Sequence, residues 1–349
     1  MSDREIVDLL KEVAGDQAPA EFWTLLEQEL AAGVALEDVG DIVGEILFNI
    51  LVYTLTPVDT VEKHGSHNQQ SHAGGRGARP EGAIEVQVGY KGLTPKGARF
   101  VTEEAAKRGL TMQALEENYA SRIEMAKGMQ DPYRPEMTAY DGGMSWYADA
   151  RKSAVEIGDG DAAMGAGMLS ALSPQNPWPS NVKAAEMVSD MRRRKDELGL
   201  DTPEKAWDYY RANHSAFGAD SKGGCGPVTK DNFDMAWKIA TGSPVAGTLT
   251  GRKRQNFYNN ILGDSRGVTV DVHMAKGMSM TPGSTVSGKK AAETYLGVRG
   301  ATTGGAGYTF AAQAVTNVAN RYGIEPMQAQ AIIWNTYVEV PWPKGGSDE

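Results

Sequence analysis

Lys253 and Asp271 lie eighteen positions apart in this 349-residue chain. A lysine amine attacks a sugar carbon and forms a Schiff base when burial or neighbouring cations lower its pKa. Lys253 stands between Arg252 and Arg254, and this placement favours such a lowering. A carboxylate stabilises the positive charge that builds on a sugar carbon when its bond to a base breaks, or it activates water. The pair is therefore a candidate catalytic centre, with Asp271 as the carboxylate and Lys253 as the amine.

Both residues also have a structural interpretation. Lys253 belongs to a basic stretch at a predicted helix start, where a lysine is commonly solvated or in contact with phosphate. Asp271 precedes a predicted helix, and an aspartate in that position caps the free backbone amides of the first turn. The sequence leaves both interpretations open for each residue.

Aromatic side chains and one histidine are the candidates for lining a pocket near this pair. Trp146 and Tyr147 are adjacent on a predicted helix, where they line a pocket or belong to the core. Trp178 lies between two prolines, so that it stacks on a base or packs a corner between helices. His273, two positions after Asp271, is expected to order the aspartate segment by hydrogen bonding rather than to act as a base.

Three segments appear in a fixed order within residues 140–349. They are Leu172-Ser173-Pro174-Gln175, followed by Asn181 and Ala184; Gly251-Arg252-Lys253, followed by Asn256; and Val270-Asp271-Val272-His273. This arrangement resembles the helix-hairpin-helix DNA glycosylases. Members of that family carry a leucine–serine–x–glutamine turn, a glycine-bounded hairpin that ends in lysine, and a valine–aspartate–x–histidine segment. The spacing from Lys253 to Asp271 is also usual in that family.

The resemblance implies an all-α, helix-hairpin-helix glycosylase-like domain that excises or modifies bases by N-glycosidic bond chemistry, without a cofactor. It implies that Gln175 fills the gap left by a base flipped out of the duplex. Two features depart from the family pattern: Leu249 replaces a hairpin glycine, and the single cysteine, Cys225, excludes the iron–sulfur cluster of some members. The residues expected to contact DNA are Gln175, Trp178, Asn181, Gly251, Arg252, Arg254 and Asn256.

Composition indicates a globular chain and limits how it can bind nucleic acid. The chain is 41% hydrophobic and 23% charged, with a net charge of −10. Dedicated DNA binders are usually basic, so that DNA contact here requires a local basic surface. The 252–254 segment is the better candidate for that surface. The basic run 192–195 is followed by Asp196 and Glu197, which favours a solvated helix end.

The sequence predicts three parts: a small acidic helical unit at 1–57, a Gly/His-rich linker at 58–97, and a helical domain at 98–349. Hydrophobic periodicity and capping residues predict the helices of this last part. They are expected at about 111–129, 140–157, 162–172, 180–198, 203–213, 230–240, 252–262, 309–322 and 327–338. Residues 268–272 are β-branched, and they form either a strand or an extended lead into the next helix.

The linker carries three histidines, His64, His67 and His72. Three imidazoles with one open position are a weak zinc candidate, and a polar tether is the alternative. The string around them resembles a motif of tailed-phage head and head-maturation proteins. This implies a phage protein of the host cytoplasm or the virion, whose residues 1–80 contact capsid or other virion proteins.

Two other functions compete with DNA base excision. The first is a virion or capsid-associated structural or assembly protein, in which the helical domain binds DNA without catalysis. The second is an enzyme that acts on a nucleoside or nucleotide, which the acidic net charge favours over tight DNA binding. No membrane partner is expected, since the most apolar stretch, residues 46–55, is too short to cross a bilayer.

Overall fold

The computed structural model describes residues 80–84, 103, 105–217, 225, 228–282, 284 and 306–338. All of them belong to the compact unit Arg76–Glu349. The predicted acidic unit at 1–57 and the histidines His64, His67 and His72 lie outside the described residues. The predicted boundaries at 57 and 97 also fall outside them.

The described part of the chain is all-α, as predicted, and contains no β-strand. None of its helices is long and apolar enough to cross a membrane. A short turn, Val245–Thr248, precedes the seventh helix. The helices are α1 Met112–Ala126, α2 Ala139–Ile157, α3 Ala162–Leu172, α4 Trp178–Arg193, α5 Pro203–Asn213, α6 Lys230–Ala240, α7 Arg252–Leu262, α8 Val272–Met280, α9 Ala306–Tyr322 and α10 Pro326–Tyr337.

Local capping sets most of these boundaries. The hydroxyls of Thr111, Thr202 and Thr229 each accept a hydrogen bond from an amide in the first turn of the helix that follows. Helix α4 is shorter at its C-terminus than predicted, since Arg194 leaves the helical conformation at φ −103° and ψ 17°.

The helices pack around two hydrophobic clusters. The first cluster is formed by α1, α8, α9 and α10, and the second by α2 to α7. Helices α2 and α10 join the clusters at a close crossing. A Cβ atom on Gly143 of α2 would lie 2.6 Å from the backbone of Ile332 in α10, so that only glycine fits there.

The segment between α7 and α8 is an extended lead into α8 rather than a strand. Tyr308 fixes it to α7, since its buried hydroxyl accepts hydrogen bonds from Asn256 Nδ2 at 2.8 Å and from the Val270 amide at 3.1 Å. The same hydroxyl donates to the Val268 carbonyl at 2.7 Å. This arrangement sets the position of Asp271, which follows Val270 directly.

Residues 80–84, within the predicted linker, are bound to α7. The side-chain amide of Asn259 accepts a hydrogen bond from the Ile84 amide at 2.8 Å and donates to the Ile84 carbonyl at 2.7 Å. The hydroxyl of Tyr258 donates to the Gly82 carbonyl at 2.7 Å. This part of the linker is therefore attached to the helical domain rather than a free tether.

Candidate active site

Lys253 is joined to the serine of the first motif segment. It lies in the first turn of α7, and its Nζ donates a hydrogen bond to Ser173 Oγ at 2.8 Å. Ser173 is the C-cap of α3, and its hydroxyl donates in turn to the Ser170 carbonyl at 3.0 Å. The Lys253 ammonium also lies 5.0 Å from the centroid of the Phe257 ring. Two segments that are eighty residues apart in sequence therefore meet at this amine.

Burial changes the acidity of Lys253. Removal of the ammonium group from water lowers the pKa of Lys253 to about 8, and the positive charge of Arg254 adds to the lowering. The negative charge of Asp271 acts in the opposite direction. Burial and cationic neighbours were both considered from the sequence as causes of a lowered lysine pKa, and burial is the larger of the two. An amine with this pKa is partly neutral, and therefore nucleophilic, near neutral pH.

The two carboxylate oxygens of Asp271 have different partners. Oδ1 caps α8, accepting from the His273 amide at 2.9 Å and from the Met274 amide at 3.1 Å. Oδ2 accepts a hydrogen bond from Trp334 Nε1 at 2.9 Å. Only Oδ1 therefore has the capping role that the sequence allowed for Asp271. The other is oriented by the indole and retains capacity to accept a further hydrogen bond.

Four aromatic rings form a cluster beside this pair, which we call the aromatic cluster: Trp146, Trp178, Phe257 and Trp334. The Trp146 centroid lies 4.8 Å from that of Trp178, 5.8 Å from Phe257 and 6.1 Å from Trp334. Trp334 packs against the first hydrophobic cluster. Trp146 and Phe257 belong to the second and Trp178 packs against it, so that the aromatic cluster lies where the two meet.

The four rings contact one another, with centroids 4.8 to 6.4 Å apart. Two open depressions of about 160 and 300 Å³ have linings that include Glu186 and Met280 respectively, and no residue of the aromatic cluster lines either one. Trp178, at the N-terminus of α4, and Trp334 are only partly buried, so that they are the accessible rings of the aromatic cluster.

Two of the three predicted pocket residues have other roles. Tyr147 is buried, and its hydroxyl donates to Gln330 Oε1 at 2.7 Å, so that it ties α2 to α10. The backbone amide of His273 donates to Asp271, whereas its imidazole hydrogen-bonds the backbone of Tyr337, and burial lowers the pKa of that imidazole. Its Nδ1 is buried and without a hydrogen-bond partner in the described part of the chain.

The residues predicted to contact DNA differ in their exposure to solvent. Gln175 and Gly251 are exposed. Gln175 has φ 62°, which a non-glycine residue seldom adopts, and Gly251 has φ 88° at the N-cap of α7. Both are accessible at turns on the side of the molecule where Ser173 and Lys253 meet.

Two predicted DNA contacts require correction. Asn181 and Asn256 are almost fully buried, with 1% and 2% of their surface exposed. Asn181 Nδ2 donates to the Leu169 carbonyl at 3.0 Å, and Asn256 supports Tyr308. In this conformation both side chains bond to buried groups of the protein, the Leu169 carbonyl and the Tyr308 hydroxyl, and do not face a ligand.

The two flanking arginines are also engaged within the protein. Arg252 donates to Thr309 Oγ1 at 2.6 Å and lies over the Tyr308 ring, with its guanidinium carbon 4.6 Å from the centroid. Arg254 donates to Asn232 Oδ1 at 2.9 Å. Burial lowers the pKa of both guanidinium groups.

The second basic run is neutralised by carboxylates. Arg192 and Arg193 both form ion pairs with Asp159, and Arg194 pairs with Glu197 at 2.7 Å. These arginines therefore stabilise the end of α4, in agreement with the solvated helix end that the sequence favours.

Trp334, Phe257 and Tyr308 are site residues that the sequence did not indicate. They lie 63, 14 and 37 positions from Asp271, and no motif spacing links them to it. Ser173 was not among the predicted site residues, although its place in the first motif segment was a signal that could have indicated it. In the described part of the chain, no group of three or more histidine, cysteine or acidic side chains is arranged to hold a metal ion.

The described part of the chain is all-α, and its candidate site lies where the two hydrophobic clusters meet. The chain belongs to a family of unknown function, DUF7178, whose model matches residues 112–339. No curated protein and no solved structure matches it.

Proposed function

We propose that this protein cleaves or remodels the N-glycosidic bond of a nucleobase, with Lys253 and Asp271 at the reaction centre. The observation that carries the proposal is the convergence of three distant segments on one amine. Lys253 Nζ donates a hydrogen bond to Ser173 Oγ, and the negative charge of Asp271 interacts with the lysine ammonium. The convergence supports the resemblance to the helix-hairpin-helix glycosylases, which rests on these same three segments.

The chemistry assigns one task to each residue. As the bond between the sugar C1′ and the base nitrogen breaks, its electron pair leaves with the base. The free oxygen lone pair of Asp271 Oδ2 stabilises the positive charge on the sugar. Neutral Lys253 attacks C1′ and forms a C–N bond. The amine proton passes to O4′ as the C1′–O4′ bond breaks, which opens the sugar ring and gives a Schiff base that water later hydrolyses. The aromatic cluster supplies stacking surfaces for the base, which the reaction must hold outside a duplex stack.

Base release is the experiment that tests this function. Oligonucleotides that each carry one deaminated, oxidised or alkylated base are incubated with wild-type protein and with Asp271→Asn. Asparagine keeps the size of the side chain and its capping ability while removing the charge. We expect release by the wild type and at least a hundredfold loss in the variant. Asp201→Asn, which changes an exposed carboxylate paired with Lys205, is the matched control.

Equal release by Asp271→Asn and wild type would contradict the assignment of this carboxylate. Absence of release from every oligonucleotide and from free nucleosides would contradict the proposed function as a whole. In that case a structural or assembly role in a virion, with a non-catalytic helical domain, becomes the stronger hypothesis.

A second candidate is the same bond chemistry on a free nucleoside or nucleotide. It is favoured by the engagement of the arginines near the site: Arg252 and Arg254 bond within the domain, and the run at 192–194 is ion-paired. Few of these charges are free for phosphates, and the net charge of −10 opposes binding to DNA. A steep loss of duplex affinity between 50 and 200 mM salt, on the order of a thousandfold, would favour the polymeric substrate.

A further inference from the structure

The turn between α3 and α4 reaches the proposed site at both of its ends. Ser173 at its start accepts the hydrogen bond from Lys253. Trp178 at its end packs on Phe257, with centroids 6.4 Å apart, and the ring of Phe257 lies beside the Lys253 ammonium. Asn176 lies midway along this turn, and its backbone N–H donates to the Ser173 carbonyl at 3.4 Å.

The side-chain amide of Asn176 is buried without a partner. Neither Nδ2 nor Oδ1 has a hydrogen bond to any part of the chain that the structure describes, and both are shielded from solvent. A buried, unpaired polar atom costs about 1–3 kcal/mol. Gln175, immediately before it, has the left-handed φ of 62°, a second unfavourable feature of the same turn. Unfavourable features of this kind cluster at active sites and ligand-binding sites.

We infer that Asn176 determines base specificity, its amide pairing with the hydrogen-bonding edge of the bound base. The inference rests on the proposed function. A carboxamide offers one acceptor and one donor side by side, and it pairs bidentately with a base edge that offers the complementary pair. The ligand class is a planar nucleobase whose edge presents a donor beside an acceptor. Its faces stack within the aromatic cluster while its edge meets Asn176.

Binding of free nucleobases to the intact protein tests this inference without requiring catalysis. Adenine, cytosine, uracil and hypoxanthine are titrated into ¹⁵N-labelled wild type, Asn176→Leu and Asn176→Asp. Leucine removes the donor and the acceptor, and aspartate keeps the shape but removes the donor. We expect the Asn176 side-chain amide signals of the wild type to shift with at least one base, and affinity to fall at least tenfold in both variants. Asn213→Leu, at the end of α5, is the matched control.

Equal affinity of the wild type and both variants, or no binding of any base by the wild type, would overturn the inference. If Asn176→Leu fails to fold, the affinity of Asn176→Asp for the bases decides the inference. Failure of the proposed function alone has a distinct signature. Bases would bind in a manner that depends on Asn176, while no N-glycosidic bond is cleaved.

Discussion

The indole Nε1 of Trp334 donates a hydrogen bond to Oδ2 of Asp271 at 2.9 Å, and this contact joins the last described helix to the start of α8. The two residues are 63 positions apart. Because Oδ1 is occupied by capping α8, the orientation of Oδ2 depends on this indole. Trp334 is therefore a positioning residue for the proposed carboxylate as well as a wall of the aromatic cluster.

Replacement of Trp334 by phenylalanine removes this donor while keeping an aromatic ring. A hydrogen bond to a charged group contributes about 1.5–3 kcal/mol, so that base release is expected to fall roughly tenfold to a hundredfold. The rate constant is measured at saturating substrate. Trp207→Phe, which alters an indole within the second hydrophobic cluster, is expected to leave it unchanged. Equal effects of the two substitutions would show that Trp334 acts only through packing.

Substitutions of Asp271 separate its capping role from its charge. Asparagine caps helices as well as aspartate does, whereas alanine does not. We expect Asp271→Ala to lower the free energy of unfolding by about 0.5–2 kcal/mol and Asp271→Asn to lower it by much less. Urea unfolding monitored by circular dichroism measures both. A large destabilisation by asparagine would mean that the negative charge itself is needed for folding.

The lowered pKa of Lys253 makes stability depend on pH in a defined window. The amine loses its proton near pH 8 in the folded protein and near its ordinary value of 10.5 in the unfolded chain. Between these values the unfolded chain binds more protons, so that the contribution of Lys253 to stability increases as pH rises. Below pH 8 its burial penalty is fully present.

Lys253→Met removes this titration. The stability of wild type relative to Lys253→Met is expected to rise by about 1–3 kcal/mol between pH 7.5 and 10. Urea unfolding at matched pH values measures it, and titrations elsewhere cancel in the difference. A difference that does not change with pH would contradict the lowered pKa. A decrease would mean that Asp271 outweighs burial.

Tyr308→Phe removes the hydroxyl that joins α7 to the lead into α8. The buried partners left behind are Asn256 Nδ2, the Val270 amide and the Val268 carbonyl. Unpaired groups of this kind make a loss of about 2–4 kcal/mol in unfolding free energy the expected result. Tyr209→Phe, which alters a partly exposed tyrosine of α5, is the control. Ordinary surface substitutions change stability by about 0.5 kcal/mol or less. A loss below that threshold would exclude a structural role for the Tyr308 hydroxyl.

Local patterns predicted the approximate bounds of nine described helices, but not the bounds of α8 or the packing of the helices. Thr111, Thr202 and Thr229 cap helices that were predicted at about 111–129, 203–213 and 230–240, because capping depends on residues within one turn. The Gly143–Ile332 crossing and the division into two hydrophobic clusters depend on contacts between distant segments. No periodicity within a single helix encodes them.

The same distinction holds for the candidate site. Lys253 and Asp271 were selected from motif spacing, and the structure brings them within electrostatic reach of each other. Asn181 and Asn256 were selected in the same way, but they are buried, since a motif position does not reveal which way a side chain faces. Trp334 could not be found from sequence, because its contact with Asp271 exists only after α10 has packed.

Borohydride trapping tests the central claim most directly. An oligonucleotide with a single abasic site presents the sugar aldehyde, and borohydride reduces any Schiff base to a stable secondary amine. The account predicts a covalent adduct whose peptide maps to Lys253, formed faster as pH rises toward 8, absent in Lys253→Gln and retained in Lys238→Gln, an exposed lysine of α6. An adduct that is unchanged in Lys253→Gln, or that maps to another lysine, would contradict it.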